Sequence, residues 1–322
     1  MSRYARQIAV PGFGAQGQES LEAARVLVVG AGGLAAPVLQ YLAGAGIGFI
    51  RLVDPDCVDE TNLHRQTIFR ADDLGRPKVA AAAAAMHRLN PACRIEPDEA
   101  ALDPETAPGF CDGVNLVLDC ADSFAVSYIL SDHCMTRDLP LISASVTQMA
   151  GYAGGFCGGA PSLRAIFPDL PQRMGSCAED GVLGPVVGLL GSLQAQMALA
   201  VLTGLQPSPL GRLVSCDAGG MRFGGFRFDN APEPEWQPAF ISPRTLQDHD
   251  FIVDLRDHDE AGLIRESAVR LPVEAFGTPA GPRPAPGQRA VMCCRSGLRS
   301  WQAAERLRQV WDGEIVLLAA GD

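Results

Sequence analysis

Arg25-Val26-Leu27-Val28-Val29-Gly30-Ala31-Gly32-Gly33-Leu34-Ala35 is the stretch that decides the fold. Its aliphatic start reads as a buried strand, the glycines that follow end that strand, and Leu34 to Ala45 carries a helical pattern. A strand that turns through glycines into a helix points backbone N–H groups and the positive helix end at an anion. Gly30, Gly32 and Gly33 are therefore candidate phosphate ligands. Working outward, Phe49 to Asp54 reads as a second strand, with Asp54 at the end where an acidic side chain takes a ribose hydroxyl. The alanine-rich run Lys78 to Leu89 reads as a helix, and Val114 to Asp119 and Pro140 to Val146 as further parallel strands. This alternation predicts an α/β fold with a Rossmann-like, mainly parallel sheet. From Tyr152 onward the strands (Tyr152 to Cys157, Leu213 to Cys216, Arg222 to Phe228) are short and glycine-rich, which predicts an antiparallel extension.

Residues 229–238 hold three prolines and three carboxylates and read as the start of a linker. The predicted organisation is a nucleotide-binding domain over 1–229, a linker over 230–243 and a small α/β unit over 244–322. In that last unit Phe251 to Leu255, Ala290 to Cys293 and Ile315 to Leu318 read as strands, and Ser300 to Val310 as an amphipathic helix. The net charge of −11 and 47% apolar content fit a globular protein and argue against a nucleic-acid or anionic-membrane surface. The uncharged stretch between Gly181 and Gly211 is long enough to span a bilayer, but Pro185, its glycines, Gln194 and Gln196 interrupt it. Its periodic residues Leu189, Leu193, Met197, Ala200 and Val201 predict one helix, buried in the core or at a subunit interface. Residues 1–10 lack the pattern of a secretory signal, so ten cysteines predict reduced thiols in a cytoplasmic protein. Cys57, Cys93, Cys111, Cys120, Cys134 and Cys216 lie in or beside apolar runs and read as structural.

The glycine turn alone favours an NAD-dependent oxidoreductase. The residues after it do not: Asp59, Asn62, Arg65 and Gln66, then Gly75-Arg76-Pro77-Lys78, then Asp119-Cys120-Ala121-Asp122. A hydride-transfer site has no use for that cluster. Attack on the α-phosphate of ATP does, because cations must neutralise charge developing on the phosphoryl group and a carboxylate must hold Mg²⁺.

These motifs resemble the ThiF/MoeB/HesA family, the bacterial relatives of ubiquitin-activating enzymes, over about Arg3 to Phe228. They comprise Arg3-Tyr4-Ala5-Arg6-Gln7-Ile8, Asn62-Leu63-His64-Arg65-Gln66, Arg76-Pro77-Lys78, Asp119-Cys120-Ala121-Asp122 and the stretch from Gly188 to Gln194. The resemblance, closest to molybdopterin-synthase adenylyltransferase, implies ATP contacts at Asp54, Arg65 and Lys78, with Asn62 and Gln66 beside them. It implies Mg²⁺ at Asp122, and an Arg6 that reaches the neighbouring site of a homodimer. The implied partner is a small ubiquitin-like sulfur-carrier protein ending in Gly-Gly, with molybdopterin synthase's small subunit favoured over the thiamine-thiazole carrier. Cys177, in Gly175-Ser176-Cys177-Ala178, matches a family cysteine that takes the activated acyl group in some members. The family's structural zinc is bound by two C-x-x-C pairs. Ser162, Ala165 and residues 230–236 stand at those places and no C-x-x-C occurs in the chain, so no zinc site is expected.

Met292-Cys293-Cys294-Arg295-Ser296-Gly297-Leu298-Arg299 runs from a strand through a tight loop into a helix, which aims N–H groups at a thiolate and places two guanidinium groups near a bound anion. The unit resembles a truncated rhodanese domain with Cys294 as nucleophile and Arg299 closing its loop, and implies a cysteine-desulfurase sulfur donor. Asp254-Leu255-Arg256 and Glu260 fit that resemblance, whereas Gly262-Leu263-Ile264-Arg265 replaces its glycine-histidine motif. Counting from Cys293 instead yields phosphatase spacing. Two other classes stay open: the NAD-dependent oxidoreductase, and a non-catalytic nucleotide-binding module.

Overall fold

A computed structural model describes residues 3–169, 181–278 and 280–321. Among them the chain forms an eight-stranded sheet and a five-stranded sheet. The first contains β1 (Arg25–Val29), β2 (Phe49–Val53), β3 (Arg94–Asp98), β4 (Leu116–Asp119), β5 (Leu141–Thr147), β6 (Ala150–Phe156), β7 (Arg212–Asp217) and β8 (Arg222–Arg227), in the order β3-β2-β1-β4-β5-β6-β7-β8. The first five are parallel, and β6 to β8 continue antiparallel as expected. The helices are α1 (Ala5–Ile8), α2 (Gly14–Ala23), α3 (Ala35–Ala45), α4 (Lys78–Leu89), α5 (Ala107–Cys111), α6 (Phe124–Arg137), α7 (Leu163–Ile166), α8 (Gly184–Thr203) and α9 (Leu298–Arg308). The second sheet holds β9 (Ala239–Phe240), β10 (Phe251–Asp254), β11 (Val269–Arg270), β12 (Ala290–Cys294) and β13 (Ile315–Ala319), all parallel in the order β11-β10-β12-β13-β9. Thus β9 sits inside the stretch read as linker and forms an edge of the second sheet.

Strand β1 is central and covered on both sides, which is why it reads as an unbroken apolar run. Val26 and Val28 join a core with α2, α3, α4 and α8, while Leu27 and Val29 join a second core with α5 and α6. That second core continues into the C-terminal unit through Phe240, Val253, Met292 and Trp301. The C-terminal unit therefore packs on the α6 side of the first sheet. Rings fill the junction: Phe124 lies 6.1 Å from Phe240 and 5.9 Å from Trp301, and Tyr128 lies 5.5 Å from Trp301.

The helix α8 forms where the periodic residues predict one. Its buried stripe is Val186, Val187, Leu190, Gln194 and Met197, whereas Leu189 is exposed and Leu193, Ala200 and Val201 are half-buried. The helix is apolar on most sides, so periodicity could not single out the side facing the sheet. Strand β3 and helix α6 were not foreseen. The first is a polar edge strand carrying Pro97, and the second mixes Ser127, Ser131, Asp132 and His133 into its apolar pattern.

At the place of the family's zinc ligands the chain has a polar clasp. Glu233 accepts hydrogen bonds from the Ser162 backbone N–H (2.8 Å) and hydroxyl (2.5 Å), and Ser162 Oγ in turn accepts from Ala165 N at the start of α7. Beside it Arg164, 1% exposed, donates to both carboxylate oxygens of Asp132 (2.6 and 2.7 Å) and to Pro238 O. Its guanidinium also lies 5.2 Å from the Trp301 ring. One network therefore ties the linker to α6, α7 and α9.

Candidate functional site

The carboxyl ends of β1, β2 and β4 open on a cavity of about 950 Å³, at the point where the sheet order reverses between β1 and β4. Gly30 leaves β1 with φ +90°, and a Cβ there would fall 2.7 Å from Cys120 O and 2.9 Å from Ala121 N. Only glycine fits this crossing. The turn is fixed from below by Asp54, whose Oδ2 accepts from Ala31 N (2.6 Å) and whose Oδ1 accepts from Asp56 N (2.8 Å). Burial raises the Asp54 pKa, opposed in part by Lys78 and these two N–H groups. Asp54 thus braces the phosphate loop as well as lining the cavity.

Lys78 opens α4, is buried along its stem, and places Nζ 2.6 Å from Asp56 and 4.0 Å from Asp54. Across the cavity Asp59 caps a short turn through Thr61 N (2.8 Å), and its hydrogen bonds from Thr61 lower its pKa. That turn presents Asn62, whose Oδ1 accepts from Arg65 Nη2 (2.8 Å) and Gln66 Nε2 (3.0 Å). Gln66 is 3% exposed and its Oε1 has no partner among the described residues, so a buried acceptor borders a site that would supply a donor. Asp122, exposed at the mouth, precedes α6. Behind it Asp119 is fully buried, accepting from Ser143 Oγ (2.7 Å) and Ala121 N (3.2 Å), and its carbonyl accepts from Gln194 Nε2 (2.7 Å). Gly30, Gly32, Gly33, Asp54, Asn62, Arg65, Gln66, Lys78 and Asp122 all line this one cavity.

The sequence profile of the ThiF family matches residues 4–237. This chain belongs to the ThiF family. Among its relatives, "Adenylyltransferase and sulfurtransferase MOCS3" of Bos taurus is 45% identical over 219 residues, covering 67% of this chain and 48% of that protein. "Probable adenylyltransferase/sulfurtransferase MoeZ" of Mycobacterium tuberculosis (strain ATCC 25618 / H37Rv) is 32% identical over 359 aligned positions, covering 100% of this chain and 91% of that one. The chain spans about half the length of several curated relatives that it matches, covering 52% of "Adenylyltransferase and sulfurtransferase UBA4" of Yarrowia lipolytica (strain CLIB 122 / E 150) and 48% of the Bos taurus protein. In fold the ThiF-family chain is similar to the crystal structure of E. coli MccB with ATP, at a TM-score of 0.63 and 20% identity, covering 72% and 73% of the two chains.

Other expected positions of this ThiF-family chain lie elsewhere. Arg6 is exposed on α1 and does not line the cavity of its own chain. Cys177 lies outside the described residues. Cys57, read as structural, is exposed and borders the cavity, because it lies past the end of β2 in an isolated bridge to Pro77 rather than inside a sheet strand. Cys294 ends β12 fully buried, its Sγ accepting from Gly297 N (3.1 Å) and Ser300 N (3.4 Å). The expected N–H cradle is therefore present. Of the two loop arginines, Arg299 is held by Glu260 (2.7 and 2.6 Å), which drops the Glu260 pKa to about 2, and Arg295 is among the residues that border the nucleotide-type cavity. Burial pushes the Cys293 thiol up to about 12, so the phosphatase-like count from Cys293 starts at an inert thiol.

Two contributors were not foreseen. Asp56, the partner of Lys78, is signalled only by its spacing of two from Asp54. Arg295 reaches the cavity because of how the second unit docks, which no local pattern encodes.

Proposed function

We propose that this ThiF-family protein adenylates the C-terminal glycine carboxylate of a small ubiquitin-like sulfur carrier. The observation that carries the reading is the convergence of Arg65, Lys78, Asn62, Gln66 and Asp122 on the glycine turn in one cavity. ATP fits as substrate: the turn leaves no room for a Cβ at Gly30, the α3 N-terminus follows it, and the unpartnered Gln66 Oε1 awaits a donor. Mg²⁺ would arrive with ATP on Asp122 and phosphate oxygens, and would withdraw charge from the phosphates.

In the proposed step a carboxylate oxygen attacks the α-phosphorus, the bond to the bridging oxygen breaks, and pyrophosphate leaves with the electron pair. Lys78 and Arg65 neutralise the charge that develops, and Lys78 must exchange Asp56 for phosphate oxygens as it does so. The Asn62 oxygen holds Arg65 and Gln66 in a fixed fan, so little reorganisation remains at the moment of transfer. Arg6, exposed and outside its own cavity, serves the partner's site in a homodimer, and the half-exposed apolar side of α8 is consistent with an interface. The names of the curated relatives support a second activity, in which a sulfur carried on Cys294 and supplied by a cysteine desulfurase displaces AMP from the adenylate. The molybdopterin synthase small subunit is the favoured carrier, and the cytoplasm the favoured compartment.

ATP–pyrophosphate exchange, measured with carriers ending in Gly-Gly offered one at a time, tests the reading. Carrier-dependent exchange that falls by about a hundredfold or more in Lys78→Ala and Asp122→Ala is expected. Exchange that survives both substitutions would show that the cavity is not the site.

A further inference from the structure

Cys294 is sealed where the two units meet. Along β12 the side chains alternate: Ala290, Met292 and Cys294 turn to the core shared with α6, while Val291 and Cys293 turn to a separate core of the second unit. None of the Cys294 surface is exposed, although the next two residues of its loop, Arg295 and Ser296, are. The loop rests on the first unit at Gly297, where a Cβ would fall 2.8 Å from the Phe240 ring and 3.5 Å from the Ala125 side chain of α6. Trp301, in the first turn of α9 and buried, packs edge-on against Phe124 and Tyr128 of α6 at 5.9 and 5.5 Å. Polar ties surround these rings: Ser242 Oγ donates to Asp103 at 3.0 Å, Arg164 joins Asp132 to Pro238 O, and the Arg308 guanidinium lies 4.4 Å from the Trp236 ring. Packing of this kind, a ring cluster with a polar rim between two units of one chain, opens and closes as a rigid-body step.

We propose that the docked arrangement is a closed state of the second unit, and that Cys294 takes up sulfur only after this unit lifts from α6. The inference rests on the sulfur-carrying reading of Cys294 given above. In loading from a persulfide, the Cys294 thiolate attacks the donor's terminal sulfur. The donor's S–S bond breaks, a new S–S bond forms on Cys294, and the donor's other sulfur leaves with the electron pair as a thiolate. A donor sulfur carried on a protein needs open approach to the thiol, and in the docked state the loop that bears Cys294 lies against Phe240 and Ala125 instead. The N–H cradle survives lifting, because Gly297 and Ser300 belong to the same loop and helix start as Cys294. Docking therefore withholds a thiol whose surroundings are already built, and a donor that binds only the lifted unit shifts the equilibrium toward it.

The test follows alkylation of each thiol by iodoacetamide at pH 8 in the full chain, with tandem mass spectrometry to resolve Cys293 from Cys294. In parallel it follows sulfur uptake on Cys294 from thiosulfate, whose outer sulfur the thiolate takes while sulfite leaves. Ala125→Leu wedges the junction from the α6 side, and Arg308→Ala removes the rim contact with Trp236. Cys293, on the other face of β12, reports unfolding of the second unit, and Cys93, in a core that the second unit does not share, reports unfolding of the first. In the wild-type protein Cys294 should react about a hundredfold or more slowly than the exposed Cys57. Ala125→Leu should speed both alkylation and sulfur uptake at Cys294 by about tenfold or more, and Arg308→Ala by roughly threefold, with Cys293 and Cys93 unchanged. A Cys294 as reactive as Cys57 in the wild type, unchanged in both variants, or accelerated only together with Cys293 overturns the proposal. Faster alkylation without sulfur uptake supports the closed state and overturns the sulfur-carrying reading instead.

Discussion

Replacing Asp119 with asparagine should change how stability depends on pH. The Asp119 carboxyl is fully buried, and burial, the largest cause, raises its pKa from 3.8 to about 6, against the opposing hydrogen bonds from Ser127, Ser143 and Ala121 N. The folded state therefore keeps its proton up to about pH 6, whereas the unfolded chain releases it near 3.8. Between those values the native state binds more protons than the unfolded one, so stability falls as pH rises. A rise of about two units corresponds to about 3 kcal/mol well below pH 3.8, of which about 2.4 kcal/mol is present at pH 4 and almost none at pH 7. Asparagine keeps the shape and an acceptor oxygen but has no proton to lose. Urea unfolding of both proteins at pH 4, 5, 6 and 7 isolates the effect, because every other titrating group cancels in the difference. Relative to wild type, Asp119→Asn should gain about 2.4 kcal/mol between pH 4 and pH 7. A difference flat across that range would refute the claim that the buried carboxyl holds its proton.

Gly30→Ala should abolish Mg-ATP binding in calorimetry, since its Cβ would lie 2.7 Å from Cys120 O and the backbone is at φ +90°. Ser162→Ala removes the cap of α7 and the hydroxyl bond to Glu233, and should cost about 1–3 kcal/mol in denaturant unfolding. Under iodoacetamide at pH 8, mass spectrometry of timed samples should find Cys57, which is exposed, modified well before Cys293, whose pKa is pushed up to about 12 by burial.

The alternation of apolar runs and glycine turns carried the first sheet nearly to residue resolution. β1, β2 and α4 fall where the pattern puts them, because buried parallel strands and an alanine-rich helix announce themselves locally. Strand β3 escaped because an edge strand needs no apolar alternation. Which side of α8 faces the sheet was not legible, because a helix apolar on most sides has no preferred stripe. The cluster from Asn62 to Gln66, with Lys78 and Asp122, was legible as one site from its residue types, and the fold brings all of them to one cavity. The bracing role of Asp54 and the lysine contact of Asp56 were not, since both depend on which backbone N–H groups and side chains the fold brings within 3 Å.

What the sequence by itself determined is a set of local patterns: a glycine turn between strand and helix, cations and a carboxylate in family spacing, and a cysteine at the mouth of a second strand-loop-helix. Each of these is a short-range pattern, written within a few residues. Only the tertiary structure decided that Glu233 clasps Ser162, that Cys294 is buried, and that Arg295 borders the first unit's cavity. Those facts depend on the packing of Phe124, Tyr128, Phe240 and Trp301, residues far apart in the chain whose hydrophobic surface sets where one unit rests on the other but carries no address for its partner.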